Sequence, residues 1–579
     1  MNEIILIDIK RGKILIILTI IYILSFFYIK ILKLKNFFFI IDSNHLENVQ
    51  SHMYGFIVSR KGIITDNYYK NLGYYEDPEP QGAYAMIRKI GDKIIINQDY
   101  IGSYGIYIYE NQNKGNFYFS NSFFLLLEYL VGKEHFSLNK DFTDNLIISG
   151  LCTPSIDETM VNEIKMLPSN SFIIINIKKR EYKINYIDYK EKSVPLKSVE
   201  GIKIIDKWVD KWGFIIRSLK KQINNISSDL SGGFDSRLTL SILLSSGVNI
   251  KEISINSIVG WKGHEKDFKI SSNICKKLGL KIIEFPFHKT GIKINIEDAF
   301  LFSKYVKLGF TNWLKFPDVF FTKPNFHFTG YGGELLRGKP SLPIKKYIEE
   351  LSNGYNNNFY NSTIRLCNRS VTFLKDHNTY NNDYEISADL YSKGRNRHHF
   401  GKLIIEQLLS NTYILCPLLD PDILQIDYEI SDHSHLDLIS YIYVRFSHNL
   451  LKFPFVGKRR LTDASLKKAE KLNKNNPPYR PKIDYNKNFY INKKRYVTIS
   501  SSSSSIKTNS TEQYKYIEKL FNNSELYINI IKFYDSTVYY KAKNYSEKTK
   551  LIIYKNSLIA VGNAIKKYFD NKRYFNNID

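Results

Sequence analysis

The stretch 227–247, SSDLSGGFDSRLTLSILLSSG, constrains this chain more than any other. Its first residues run to Leu230 in the manner of a strand. Ser231-Gly232-Gly233-Phe234-Asp235-Ser236 then forms a turn with two glycines. From Arg237 to Ser245 the apolar positions Leu238, Leu240, Ile242, Leu243 and Leu244 suit a buried helix, closed by Gly247. Strand, glycine turn and helix start together make a seat for phosphate. The N–H groups of a first helical turn and the positive end of the helix dipole point at an anion, and glycine lets the backbone come close. The hydroxyls of Ser231 and Ser236 add donors. A carboxylate beside a phosphate repels it, so Asp235 makes sense chiefly with a Mg²⁺ between them. The bland alternative is a polar strand-to-helix turn whose glycines serve the backbone alone.

The rest of the chain supplies a setting for that turn. At 579 residues it has material for two or three domains with real cores. A net charge of +25 invites a nucleic-acid or membrane-surface reading. Lys, Ile, Asn, Tyr and Phe are over-used together, however, as AT-rich coding produces, and the basic residues are spread along the whole chain. A generic basic surface is the better reading, and no nucleic-acid partner is favoured. Cys152, Cys275, Cys367 and Cys416 are far apart, without a C-x-x-C pair. Neither a disulfide framework nor a structural zinc is expected, and a reducing, cytoplasmic compartment fits.

Four regions follow from pattern. Residues 1–35 hold a nearly continuous apolar run from Ile14 to Ile29 between basic flanks. Either residues 14–32 anchor the protein to the inner face of the membrane, or AT-rich sequence upstream of the true start has been translated. Residues 36–195 read as short Ile-, Tyr- and Phe-rich strands (37–41, 54–59, 82–88, 93–98, 105–110, 116–120, 171–177) parted by Asn, Asp and Gly turns, with helices over 122–131 and 143–149. Residues 196–480 alternate strand and helix, which predicts a doubly wound parallel sheet. In the last region, 481–579, Ser500–Ser505 marks a linker or exposed loop; 512–521 and 551–569 look helical, and 570–579 reads as a loose tail.

The S-G-G-x-D-S turn resembles the pyrophosphate loop of the N-type ATP pyrophosphatases, and the wider chain is similar to the asparagine synthetase family of that group. Asp99-Tyr100-Ile101-Gly102-Ser103-Tyr104-Gly105-Ile106-Tyr107-Ile108-Tyr109 resembles that family's R-D-x-x-G-x-x-P-L-Y-Y segment. Phe119-Ser120-Asn121-Ser122 resembles F-A-S-E, and Glu163 to Ser171 resembles the K-x-L-P-P-G-H region. The resemblance implies an N-terminal α+β domain of two stacked antiparallel sheets, Ntn-hydrolase-like, ahead of the α/β sheet. Gly330-Tyr331-Gly332-Gly333-Glu334 resembles the family's second glycine loop, and Cys416-Pro417-Leu418-Leu419-Asp420 its P-F-L-D segment. Gly263-His264-Glu265-Lys266-Asp267 resembles an acidic stretch ahead of a helix, where Glu265 and Asp267 also read as first-turn acids.

Carried over residue by residue, the resemblance implies that ATP and its pyrophosphate meet Leu230, Ser231, Gly232, Gly233, Asp235, Ser236, Gly332 and Gly333. Adenine would lie along the strand of Ile255, and Mg²⁺ on Asp235. It implies catalytic roles for Glu334 and for a lysine after Asn449, with Lys458 ahead of Lys452. Two departures qualify the picture. Such a glutaminase uses an N-terminal Cys as nucleophile, and no cysteine precedes Cys152. Tyr331 also stands where the family has Asp. The expectation is therefore an AMP-forming ligase. It adenylates aspartate or a related carboxylate, then takes ammonia or another amine without its own glutaminase; a homodimer is allowed. The alternatives are an amide-forming enzyme of surface-polysaccharide or peptide pathways, a tRNA-modifying ATP pyrophosphatase, and a non-catalytic binding protein.

Overall fold

The computed structural model describes residues 37–491 and 506–507, less 131–132, 135, 138, 150–151, 188–193, 261–262, 287–292, 295–304, 307, 309–323, 338–341, 353–356, 381, 409–410, 428–435 and 458. The apolar run at 14–32, Lys458, Ser500–Ser505 and the C-terminal helices expected at 512–521 and 551–569 lie outside these residues, as does the tail 570–579. Among the described residues no helix is long and apolar enough to cross a membrane.

Two β layers face each other in the first half of the chain. One has the order β1-β7-β6-β8, built from β1 (Ile40–Asp42), β6 (Tyr107–Asn111), β7 (Asn116–Ser120) and β8 (Ile164–Met166), every pair antiparallel. The other is built from β2 (His52–Val58), β3 (Gly62–Ile64), β4 (Gly82–Ile90), β5 (Lys93–Gln98), β9 (Ser171–Asn176) and β10 (Glu181–Tyr186). Its antiparallel order is β10-β9-β5-β4-β2-β3. Strict alternation does the sorting, because side chains two apart share a face. Ile41, Phe117 and Phe119 from one sheet meet Phe56, Ile94, Ile96, Ile173 and Ile175 from the other in one buried cluster. The intervening residues turn outward. Tyr107, Tyr109 and Tyr118 pack on Phe123, Leu126 and Leu130 of α2 (Phe123–Leu130). Met53, Ile57 and Met86 pack on Tyr69 of α1 (Asp66–Asn71). The layers are helix, sheet, sheet, helix.

The second half carries a five-stranded sheet of β11 (Ile226–Asp229), β12 (Ser254–Val259), β13 (Ile282–Pro286), β14 (Asn325–Phe328) and β15 (Thr412–Leu415). All its pairs are parallel, in the order β13-β12-β11-β14-β15. The order reverses between β11 and β14, and in such sheets ligands bind outside the strand ends at that switch. Before β11 runs α3 (Val199–Lys220), whose Trp208 and Trp212 are wholly buried. Their indoles donate to the Pro417 carbonyl (3.0 Å) and to Asp420 Oδ2 (2.8 Å), as buried tryptophans require. α4 (Asp235–Ser245) follows β11, and α5 (Glu265–Leu278) follows β12 and ends at Gly279. The chain is thus a mixed α/β protein, with an antiparallel two-sheet part and a parallel sheet.

Two features differ from expectation. The Asn- and Lys-rich segment after residue 480 is not all exposed loop. Arg217 donates to the Asp484 carbonyl at 2.7 Å, Phe489 and Ile491 are buried, and β16 (Tyr490–Ile491) adds a parallel edge to β3. A two-residue strand has no periodicity to read, and its partners lie hundreds of residues away. The second feature is a long π-helix, Leu390–Gly401, joining the two halves. π-Helices are rare and concentrate at functional sites.

Candidate active site

The loop after β11 closes on itself. Ser231 N donates to Ser236 Oγ (2.9 Å), the two serine hydroxyls lie 3.0 Å apart, and Gly233 N donates to Ser231 Oγ (3.2 Å). Gly232 N donates to Asp267 Oδ1 at 3.0 Å. The serines expected to serve as phosphate donors therefore first order the loop, and a carboxylate occupies the Gly232 amide. Asp267 read as a first-turn acid; in space it also caps the glycine turn. Leu230 extends β11 by donating to the Asn256 carbonyl at 2.9 Å and is buried. α4 starts at Asp235 without a side-chain cap. Its first-turn amides and dipole thus face the switch point, the local arrangement of an anion seat.

The second glycine loop, after β14, lies against the first. A Cβ on Gly330 would stand 2.6 Å from Ser236 N, and one on Gly333 would stand 2.5 Å from Asp235 Cβ. Both positions need glycine so that the loops can touch. Gly332 lies at φ 93°, in the left-handed region, and begins the short helix Gly333–Leu336. Two charged groups flank Asp235. Arg337 Nη2 donates to Asp235 Oδ2 at 2.7 Å. Glu334 is 6% exposed, and its Oε1 accepts from Asn396 of the π-helix at 2.9 Å. Burial first, then the Asp235 charge, push Glu334 up to about 7. Tyr331 points away from a metal role: its ring stacks on Phe400 of the π-helix at 4.6 Å.

The basic segment expected to supply a cation is clamped onto the loop by Arg237. This fully buried residue donates to the carbonyls of Phe453 (3.1 Å) and Pro454 (2.8 Å), and its guanidinium lies 4.0 Å from the Phe455 ring centroid. Val456 N donates to the Gly232 carbonyl at 2.9 Å. Burial without a facing carboxylate lowers Arg237 to about 10. Lys452 ends a 3-10 helix and is exposed. Its neighbour Arg459 comes nearer, with Nη1 3.2 Å from where a Cβ on Gly233 would stand.

Not every expected residue joins the site. Ile255 is wholly buried, aligned with Ser228, and its amide donates to the Lys281 carbonyl at 3.0 Å. It is a core residue near the start of β12; the end that meets the switch is Ser257–Val259. Asp420 accepts from Asp422 N (3.0 Å) and from Lys211 (2.9 Å), so it caps a short helix and anchors α3. Arg237, Arg337 and the cap made by Asp267 were missed. In sequence they are an ordinary helical residue, one Arg after a glycine cluster, and one helix-start acid. Only their long-range partners give them meaning.

Among the described residues no group of three or more His, Cys, Asp and Glu is placed to hold a metal. Mg²⁺ asks for less, since it takes one or two carboxylates with phosphate oxygens and water. Asp235, beside an anion seat, fits that smaller donor set. No family model matches this chain, and no curated protein matches it. Among solved structures it matches a glutamine-dependent NAD+ synthetase from Acinetobacter baumannii, determined with adenosine diphosphate, at 11% identity and a TM-score of 0.14. The match covers 42% of this chain and 52% of that one, so the chain spans about half the length of that synthetase. A TM-score of that size says nothing about activity.

Proposed function

We propose that this protein is an ATP-dependent, AMP-forming ligase that joins a carboxylate to ammonia or another amine. One observation carries the reading: two glycine loops, after β11 and β14, meet at the switch point of a parallel sheet with an acid, Asp235, between them. The seat suits a pyrophosphate group because helix-start amides, loop amides and arginines converge there.

The chemistry follows from what the residues can do. A carboxylate is a poor electrophile, and its attack on the α-phosphate makes an acyl-adenylate with AMP as a good leaving group. Preorganised donors and cations stabilise the charge that builds on phosphate oxygens. The Ser231–Ser236 loop would hold the departing pyrophosphate, which must displace Asp267 from the Gly232 amide. Arg337 and the Lys452–Arg459 segment would supply positive charge, with Lys458 and Lys452 the lysines that the family resemblance puts there. Asp235 would hold Mg²⁺, which neutralises phosphate charge when bound. Glu334, uncharged below about 7, would keep repulsion at the seat low. Aspartate is the first carboxylate to try.

ATP–pyrophosphate exchange over a panel of carboxylates tests the reading. One acid should support exchange, and Asp235→Ala should abolish it. No exchange with any acid, together with no ATP binding, would end it.

A further inference from the structure

One polar row at the switch point lies on the strands themselves, ahead of the two glycine loops. Ser227 and Asp229 are two residues apart on β11 and so share a face of the sheet. His327 of β14 is aligned with Ser227 across the strand pair. Its Nδ1 lies 2.8 Å from Ser227 Oγ, and its Nε2 lies 3.0 Å from Asp229 Oδ1. Ser227 is 8% exposed and the His327 side chain 12%, whereas the Asp229 side chain is 46% exposed. The row runs from the interior of the sheet to a carboxylate that solvent reaches.

The order matters. In a hydrolase triad the serine faces the substrate and the acid is buried; here the acid faces out. The outward group is thus a carboxylate held by a ring, and the ring is held by a hydroxyl. With Nε2–H donating to Oδ1, Nδ1 is left to accept from the Ser227 hydroxyl, and every polar atom of the ring is satisfied. Oδ1 is then occupied, and the carboxylate keeps its other oxygen for a new proton.

Asp229 ends β11 and belongs to the same switch point as the two loops. Tyr331 of the second loop and Cys416 after β15 are near enough to feel its charge, although burial is the larger influence on both. The other acids at the switch point, Asp267 on the Gly232 amide among them, are engaged. Asp235 is paired with Arg337, and Glu334 is buried against Asn396.

We infer that Asp229 is the general base for the amine step, with His327 and Ser227 as its positioning residues. The inference rests on the ligase reading. The amine nitrogen forms a bond to the acyl carbon, and the bond from that carbon to the AMP oxygen breaks, its electron pair leaving with AMP. The amine arrives as its ammonium form: one proton passes to Asp229 before attack, and the second, lost as the amide forms, passes to the departing AMP phosphate.

The test compares two amines in the full-length protein, with a carboxylate that supports exchange. Ammonia is mostly protonated at neutral pH and needs a base; hydroxylamine is not protonated there and attacks without one. Asp229→Asn should slow amide formation from ammonia, or from a simple primary amine where ammonia is not taken, about 100-fold. Hydroxamate formation should fall far less. His327→Ala should show the same selective loss, and His327→Gln, which keeps a donor toward Asp229, should restore part of the rate. Equal loss with both amines, or no loss, overturns the inference while leaving the ligase reading intact. Absence of exchange with any acid, together with no ATP binding, in the wild-type protein overturns the ligase reading itself.

Discussion

Glu334 offers a direct physical check on the switch point, because its carboxyl sits where solvent does not reach. Burial and the Asp235 charge move it from 4.5 to about 7. Between those values the folded protein keeps a proton that the unfolded chain has released. Stability is therefore fully present below 4.5 and is lost as pH rises through 7. A tenfold difference in proton affinity between the folded and unfolded chain is worth about 1.4 kcal/mol, so full ionisation costs about 3 kcal/mol. Glu334→Gln keeps the size and an oxygen for Asn396, and it never ionises. Measured without nucleotide or metal, the variant should match the wild type near pH 4.5. It should be about 2–3 kcal/mol more stable than the wild type by about pH 8. Urea unfolding of both proteins at a series of pH values gives the difference curve, in which other titrating groups cancel. A flat curve would refute the claim that the fold carries this carboxyl uncharged.

Two substitutions probe the contact between the loops and the clamp beside them. Gly333→Ala puts a methyl 2.5 Å from Asp235 Cβ, and neither backbone can yield cheaply; it should cost about 1–3 kcal/mol in unfolding measurements and reduce exchange, and an unchanged protein would mean that the loops do not touch. Arg237→Ala removes two charge-assisted bonds and a ring contact, but also a buried cation with no facing carboxylate; the opposing terms leave a loss of about 2–4 kcal/mol, seen as a lower unfolding midpoint.

The fold was legible where the signal was local. β5 and β7 have the bounds that their alternating residues predict, and the phosphate-type turn stands at a strand end and a helix start. The second glycine loop was read from a family pattern, whereas its contact with the first appears only in the fold. What stayed hidden depends on partners far away in sequence. Arg237 has meaning only through Phe453, Pro454 and Phe455, and Asp267 only through the Gly232 amide. Ile255 shows a related gap: a strand's sequence shows which residues are apolar, but not where the strand end falls. The π-helix had no signal, since SKGRNRHHFG is polar and without period. Its geometry is set by what surrounds it.

That helix also ties the antiparallel half to the switch point. Asn396 holds Glu334, and Phe400 stacks on Tyr331, so one end of the helix supports the second glycine loop. It also reaches the antiparallel half. Arg397 donates to the Ile156 carbonyl at 3.2 Å, and Lys402, just past the helix, donates to the Tyr104 carbonyl. Arg397 and Lys402 are almost wholly buried, with Asp99 as the nearby buried acid. Two buried cations are tolerable only while carbonyls and that acid surround them. Removing the antiparallel half would uncover both cations and free the helix that carries Asn396 and Phe400. The altered second loop has the same logic: Tyr331, where the family resemblance expects an acid, gives the π-helix an aromatic face to rest on. The antiparallel half thus bears on the switch point by packing, through the helix that holds Glu334 and Tyr331.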